Sequence, residues 1–297
     1  LTVLAAAGGC SSDGGASGSV LFFAAPEDSI PNGLQPGSGD EAIADGWKID
    51  YSAFTIVIGN VRARRSADPA ALLSDAKLTM VNLLDVPAGG LVIASFENAD
   101  AVRWDRVGFD LANAGASVAR DDGVSVAEFD AMVAAGASLH VTGTMTKPGG
   151  QSCAPTDPAA CVPAPQITFD WFVAAGTSFD DCAPASGDAG FAVPAGGTIQ
   201  VKPTIHGDHW FFNNITQGAE VTKRYAQWIA NADLNHDGAA SLDELSASAA
   251  ADLFPASLYN LSGALVPIVT GRDYLQAQAH TLGDFQGDGE CPTRKVL

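Results

Sequence analysis

The sequence predicts a mainly β protein: an antiparallel β-sandwich followed by a small α-helical module of the EF-hand type. Three observations carry this. Between Trp47 and Phe212, short runs of alternating apolar and polar residues are separated by Gly/Pro turns, with no β-α-β alternation. Beyond Asn214 the apolar period lengthens to that of a helix. Within that helical part, residues 233–244 fit the calcium-loop pattern D-x-[DN]-x-[DN]-G-x₅-E at every ligand position. The 297 residues therefore divide into a signal remnant with a flexible tether (1–24), the sandwich (25–213) and the helical module with an acidic tail (214–297).

Taken in order, Leu1 to Cys10 is a short apolar run closing on small residues and a cysteine, like the end of a bacterial lipoprotein signal. The Gly/Ser residues up to Ser19 have the composition of a tether. Together they predict an exported protein of the bacterial cell envelope, lipid-anchored through Cys10 and facing the periplasm or the cell surface. No later stretch reaches the ~18 apolar residues of a membrane helix, so membrane contact is expected through that lipid alone. Pro26 to Gly46 reads as an irregular lead-in. Strands are predicted over 47–59, 77–84, 91–96, 104–111, 138–145, 166–173, 190–193 and 198–212. Ser125 with Glu128 forms a capping box that opens a helix, Val126, Phe129, Met132 and Val133 share its face, and Gly136 ends it. Helices over 220–232 and 241–252 flank the calcium loop, and Thr270 with Asp273 opens a last one through Leu282.

Ca²⁺ is a hard cation that takes roughly six to eight oxygen ligands. Asp233, Asn235 and Asp237 offer side-chain oxygens, Ala239 its backbone carbonyl, Ser241 a hydroxyl or a water, and Glu244 both carboxylate oxygens. Gly238 takes the sharp turn. A second hand is expected at 260–271, but that stretch has no carboxylate, so it should be a structural partner that binds nothing. Position eight of the first loop is Ala240, where a larger aliphatic usually pairs with a second loop. The stretch from Asp284 to Glu290 echoes the front of a calcium loop, but Lys295 would stand at its twelfth position and cannot ligate. It reads as an acidic tail able to lend Asp284 or Glu290 to a nearby metal.

Setting Cys10 aside leaves Cys153, Cys161, Cys182 and Cys291, an even set that predicts two disulfides in an oxidising compartment. Sequence alone permits three pairings. The Pro-rich loop between Cys153 and Cys161 is one that a bridge could staple, which leaves Cys182 with Cys291. No C-x₂-C spacing favours zinc instead. The net charge of −19, with 15 basic against 34 acidic residues, argues against nucleic acid and suits a body that attracts metal ions. No G-x-S-x-G, H-E-x-x-H, phosphate-binding loop or dinucleotide fingerprint is present, and no enzyme activity is predicted.

Four stretches, Tyr51 to Val61, Leu83 to Gly89, Trp104 to Phe109 and Thr204 to Phe212, together resemble the MbnP family, the methanobactin-associated periplasmic copper-binding β-sandwich proteins. The resemblance covers a little more than half the chain, and it implies copper as a second cofactor beside Ca²⁺. The residues offer a place for it. His206 and His209 flank Gly207 and Asp208 at the end of a strongly apolar strand; imidazole suits copper or zinc, and an adjacent carboxylate can orient the ring. Positions three apart in a regular strand face opposite sides, so Gly207 must bend the chain for both rings to converge. His140 is the candidate third ligand, from another strand. The competing view is a hydrogen-bonded strand histidine at 206 and an exposed one at 209. Two functional classes follow: a metal-binding envelope lipoprotein with calcium and copper sites, or a calcium-stabilised adhesion or scaffold module that binds other envelope proteins. Convergence of His140, His206 and His209 within ~5 Å favours the first; scattered histidines beside an exposed apolar patch favour the second.

Overall fold

The computed structural model describes residues 15–216 and 223–296. The lipidation site expected at Cys10 lies outside the described residues, as does the start of the helix expected at 220. The fold is mainly β and built on several sheets.

The largest sheet is organised around one long strand, Lys48–Arg65. One of its edges pairs first with Leu139–Thr146 and then with Arg106–Leu111, while Asp68–Asn82 runs antiparallel along the other. The edge changes partner around Val57, between Ile56 opposite Leu139 and Ile58 opposite Leu111, and a bulge follows at Asn60, where the register shifts and φ is 45°. Gln166–Val173, with the bounds read from the sequence, extends the sheet beyond Leu139–Thr146. Period-two burial explains why these strands were legible: Leu139, Val141 and Met145 are fully buried, whereas His140, Thr142 and Thr144 point to the opposite face.

The second sheet corrects two expectations. Its central strand is Ser17–Pro26, most of which the sequence placed in the tether. Val20, Phe22 and Ala24 alternate into the core with no exposure, so a strand periodicity lies directly behind the Gly/Ser composition. This strand runs antiparallel to Leu91–Asp100 but parallel to Thr198–Val201 and Pro203–Ile205, so the sheets are not purely antiparallel. The strand expected over 198–212 is thus two short ones, and it ends at Ile205.

A second boundary also moves. Residues of both large sheets and of the helical part share one apolar core, an arrangement that suits a sandwich but leaves 214–297 without a core of its own. Trp228 stacks on Trp171 of the large sheet with ring centroids 6.2 Å apart, and it meets Tyr274 at 5.2 Å. The C-terminal segment then returns to the sheets: Gly283–Phe285 pairs with Pro203–Ile205, and Thr293–Lys295 with Thr177–Phe179. The disulfides are Cys153–Cys161, closing a hairpin, and Cys182–Cys291, buried beside this return. Both pairs match the expectation and fit an oxidising, exported environment. Among the described residues no helix is long and apolar enough to cross a membrane.

On the outer face of the large sheet, helix Val126–Ala135 covers Val57, Met80 and Val124. Ser125 Oγ accepts from Glu128 N at 3.1 Å, and Gly136 closes the helix in the left-handed region at φ 58°. The expected capping box is only half formed, because the Glu128 carboxylate turns away to Thr55 and His140.

Candidate metal centre

Strand Pro203–Ile205 ends where His206 N donates to Leu282 O at 2.9 Å, and a one-turn 3₁₀ helix, His209–Phe211, follows. The intervening turn brings both histidines to one side. Gly207 is needed for space rather than for backbone freedom. A Cβ there would lie 2.8 Å from Ile30 Cγ1 and 3.1 Å from Ser29 Oγ and the Tyr51 ring. Its N–H donates to Ser29 Oγ at 3.0 Å, and its carbonyl accepts from the Tyr51 hydroxyl.

His206, Asp208 and His209 each offer a ligand atom, and these lie within 4.8 Å of one another. Among the described residues no other three His, Cys, Asp or Glu side chains come together so closely. The two imidazole rings are 5.0 Å apart between centroids. His206 and Asp208 are only 6% and 4% exposed, yet His206 Nε2 and Asp208 Oδ1 have no well-formed hydrogen bond. Asp284 Oδ2 stands 3.2 Å from His206 Nε2, and Asp208 Oδ1 is 3.7 Å from Nδ1. Leaving buried polar atoms without partners costs free energy, so such atoms invite a ligand. The other Asp208 oxygen is committed: Oδ2 accepts from Arg224 Nε at 2.8 Å and from its terminal nitrogen. His209 Nδ1 faces Thr281 Oγ1 at 2.9 Å, which orients the ring and frees Nε2.

Burial and charge set the protonation of the group. Burial opposes charge on His206, but the adjacent Asp208 carboxylate and the charges of Asp284 and Glu27 outweigh it and raise the ring to about 9. Burial lowers His209 to about 3, against the attraction of Asp208 and with help from His206 and Arg224. Burial would raise Asp208, but His206, His209 and Arg224 together hold it well below the usual carboxylate range. Asp284 is raised to about 7, chiefly by burial.

His140 is not part of this group. It lies on the opposite face of its strand from Leu139 and Val141, stacked on Phe172 with centroids 4.0 Å apart. Its Nδ1 meets Glu128 Oε1 at 3.0 Å and its Nε2 meets Asp170 Oδ1 at 2.9 Å, so both ring nitrogens are occupied. Strand parity is the reason. An even position in Leu139–Thr146 faces the outer helix.

The 233–244 loop is wound by successive Asx turns. Asp233 accepts from Asp237 N and Gly238 N, each at 3.1 Å; Asn235 Oδ1 accepts from Asp237 N at 2.8 Å, and Asp237 Oδ1 from Ala239 N at 2.9 Å. Gly238 sits at φ 83° and His236 at φ 61°. Glu244 Oε1 accepts from Leu234 N and Asn235 N, while Oε2 accepts from Ser241 N and Oγ, completing a capping box with Ser241. The flanking helices are shorter than predicted, Gln227–Asn231 and Leu242–Ala247. The loop's pairing partner is also not a second hand. Thr168 N donates to Gly238 O, and Ala240 N to Thr168 O, each at 2.9 Å. The small residue at position eight therefore packs against the sheet strand Gln166–Val173, which explains its size.

Sequence reasoning found His206 and His209 but read Asp208 only as an orienting group, and it missed Arg224 and Thr281. Nothing local marks those two, because chain return and sheet pairing bring them in from a distance. No protein-family model, curated protein or solved structure was found to match the chain.

Proposed function

We propose that the protein is an exported metal-binding protein that holds a transition-metal ion at His206, Asp208 and His209 and a Ca²⁺ ion in the 233–244 loop. The observation that carries the first site is the pair of buried atoms without a well-formed hydrogen bond, His206 Nε2 and Asp208 Oδ1, inside a group of two imidazoles and a carboxylate. That donor set suits copper(II) or zinc, and the resemblance to the MbnP family favours copper. Asp284, from the facing strand, is placed to supply a further oxygen, and Thr281 to fix the His209 ring. A lipid on Cys10 and placement in the cell envelope belong to the same reading. The function is binding; no catalytic step is assigned.

The test is metal analysis and titration calorimetry with copper(II) and zinc on chelator-treated protein. Uptake of one ion, lost in the His206→Ala/His209→Ala variant, is expected. Equal uptake by that variant sinks the site.

One observation favours the second reading, a calcium-stabilised adhesion or scaffold module. The calcium loop is bound to the sheet through Thr168 and Trp171, so Ca²⁺ there would stiffen the β core rather than open a pair of helices. Capture of another envelope protein that requires Ca²⁺ but neither His206 nor His209 would favour it.

A further inference from the structure

A cleft of about 580 Å³ opens onto the His206–Asp208 pair. Beside Asp208 its wall carries Glu27, Asp28, Asp40, Glu41 and Asp288. The only basic side chains lining it are His206 and Arg224, and the Arg224 guanidinium is committed to Asp208 Oδ2 and the Asp40 carbonyl. Acidic lining alone would signify little in a chain of net charge −19. The second observation is at the floor, where Asp208 Oδ1, in a side chain 4% exposed, has no hydrogen bond, its neighbour His206 Nδ1 standing 3.7 Å away.

The spacing of the charges decides what kind of cation fits. Among the described residues the wall carboxylates form no group of three close enough to hold a compact ion. Their charge is instead spread from the buried floor to the exposed Asp28, Asp40 and Asp288. Leu34 and Ala42 supply apolar wall between them. A ligand with separated positive charges on an aliphatic stem matches this pattern, and the volume lies in the ~300–1,000 Å³ range of small-molecule sites. We propose that the cleft binds a small aliphatic polyamine, with one ammonium group donating to Asp208 Oδ1 and others set against Asp28, Asp40 and Asp288. The proposal shares Asp208 with the metal site but does not rest on the metal reading.

Titration calorimetry of the chelator-treated full chain with spermidine at low salt tests it. Saturable binding of one spermidine is expected. It should weaken about tenfold in the Asp28→Asn/Asp40→Asn/Asp288→Asn variant, since each exposed charge contributes roughly 0.2–1 kcal/mol. All three positions are exposed, and an unchanged melting temperature would show that the variant folds. The control Asp68→Asn/Asp122→Asn/Asp130→Asn removes the same charge away from the cleft and should bind like the parent. Butylamine, with a single charge, should bind far more weakly than spermidine. His209→Ala removes a proposed metal ligand that does not line the cleft, so it should keep spermidine binding even if metal uptake is lost. No saturable binding, equal weakening in both triple variants, or butylamine binding as tight as spermidine would overturn the proposal.

Discussion

Trp171 Nε1 donates to the carbonyl oxygen of Ala240 at 2.8 Å, joining the floor of the large sheet to the 233–244 loop. Both partners are fully buried, so neither group can turn to water instead. Replacing Trp171 by Phe leaves the carbonyl of Ala240 without that donor. A loss of about 1–3 kcal/mol in urea unfolding is expected, with weaker Ca²⁺ binding, because the loop then loses part of its anchorage. Unchanged stability would show that the loop is held by other means.

Calcium should raise the melting temperature by mass action, about 2.7 kcal/mol at a hundredfold excess over Kd. Glu244→Ala should abolish most of the effect. It removes the bidentate position and also the acceptor that caps Ser241. Calorimetry that finds no binding at millimolar Ca²⁺ would remove the calcium site from the proposal.

Trp210 follows His209 directly and is fully buried, with no partner for its indole nitrogen. Copper(II) at the proposed centre should therefore quench part of the tryptophan emission. The quench should be absent in His206→Ala/His209→Ala, and in the parent a chelator should reverse it. Persistence of the quench in that variant would place the copper elsewhere.

His280 gives a clean pH expectation. It is 2% exposed, its Nδ1 lies 2.6 Å from Thr177 Oγ1, and burial, then the charge of Lys295, lowers it to about 4. The unfolded chain binds its proton near pH 6.5. The neutral ring's contribution is therefore fully present above that pH and is lost as pH falls from about 6.5 to about 4. The loss amounts to roughly 3 kcal/mol, taking ~1.4 kcal/mol for each of about 2.5 pH units. In His280→Gln, denaturation between pH 4 and 7 should show a flatter slope than in the parent.

Removing Cys182 and Cys291 together should cost more than removing Cys153 and Cys161. The sequence separations are 109 and 8, and the chain-entropy argument gives about 4–5 against about 2–3 kcal/mol. Melting temperatures of the two double-alanine variants decide it. A larger drop for the short loop would show that local packing, not loop closure, dominates.

Local signals survived the passage from sequence to structure; distant ones did not. The strand Gln166–Val173, the caps at Ser125 and Thr270, the Cys153–Cys161 pair and the winding of the loop at Asp233 each depend on near neighbours in sequence, where period and side-chain chemistry act directly; the distant Cys182–Cys291 pair was reached only by elimination. The Ser17–Pro26 strand was hidden because composition averaged over the Gly/Ser stretch masked the alternation of Val20, Phe22 and Ala24. His140 shows a different limit. Its parity was readable, but which face of the sheet carries His206 depends on how the sheets pack. Asp284 was legible as an acidic neighbour, whereas the Arg224 contact to Asp208 joins residues 16 positions apart, beyond the reach of any short-range pattern.

The parallel pairing of Ser17–Pro26 with Thr198–Ile205 has a consequence for the order of assembly. The first described strand can find its antiparallel neighbour, Leu91–Asp100, once about a hundred residues are present, but its other edge stays open until nearly the whole β region exists. Closing so long a loop is slow, because its entropy is spent before the pairing returns anything. A half-made sheet therefore exposes the Val20–Phe22 edge as a sticky intermediate while synthesis or export is still under way. Folding yield, more than final stability, is where changes in this strand should be felt first.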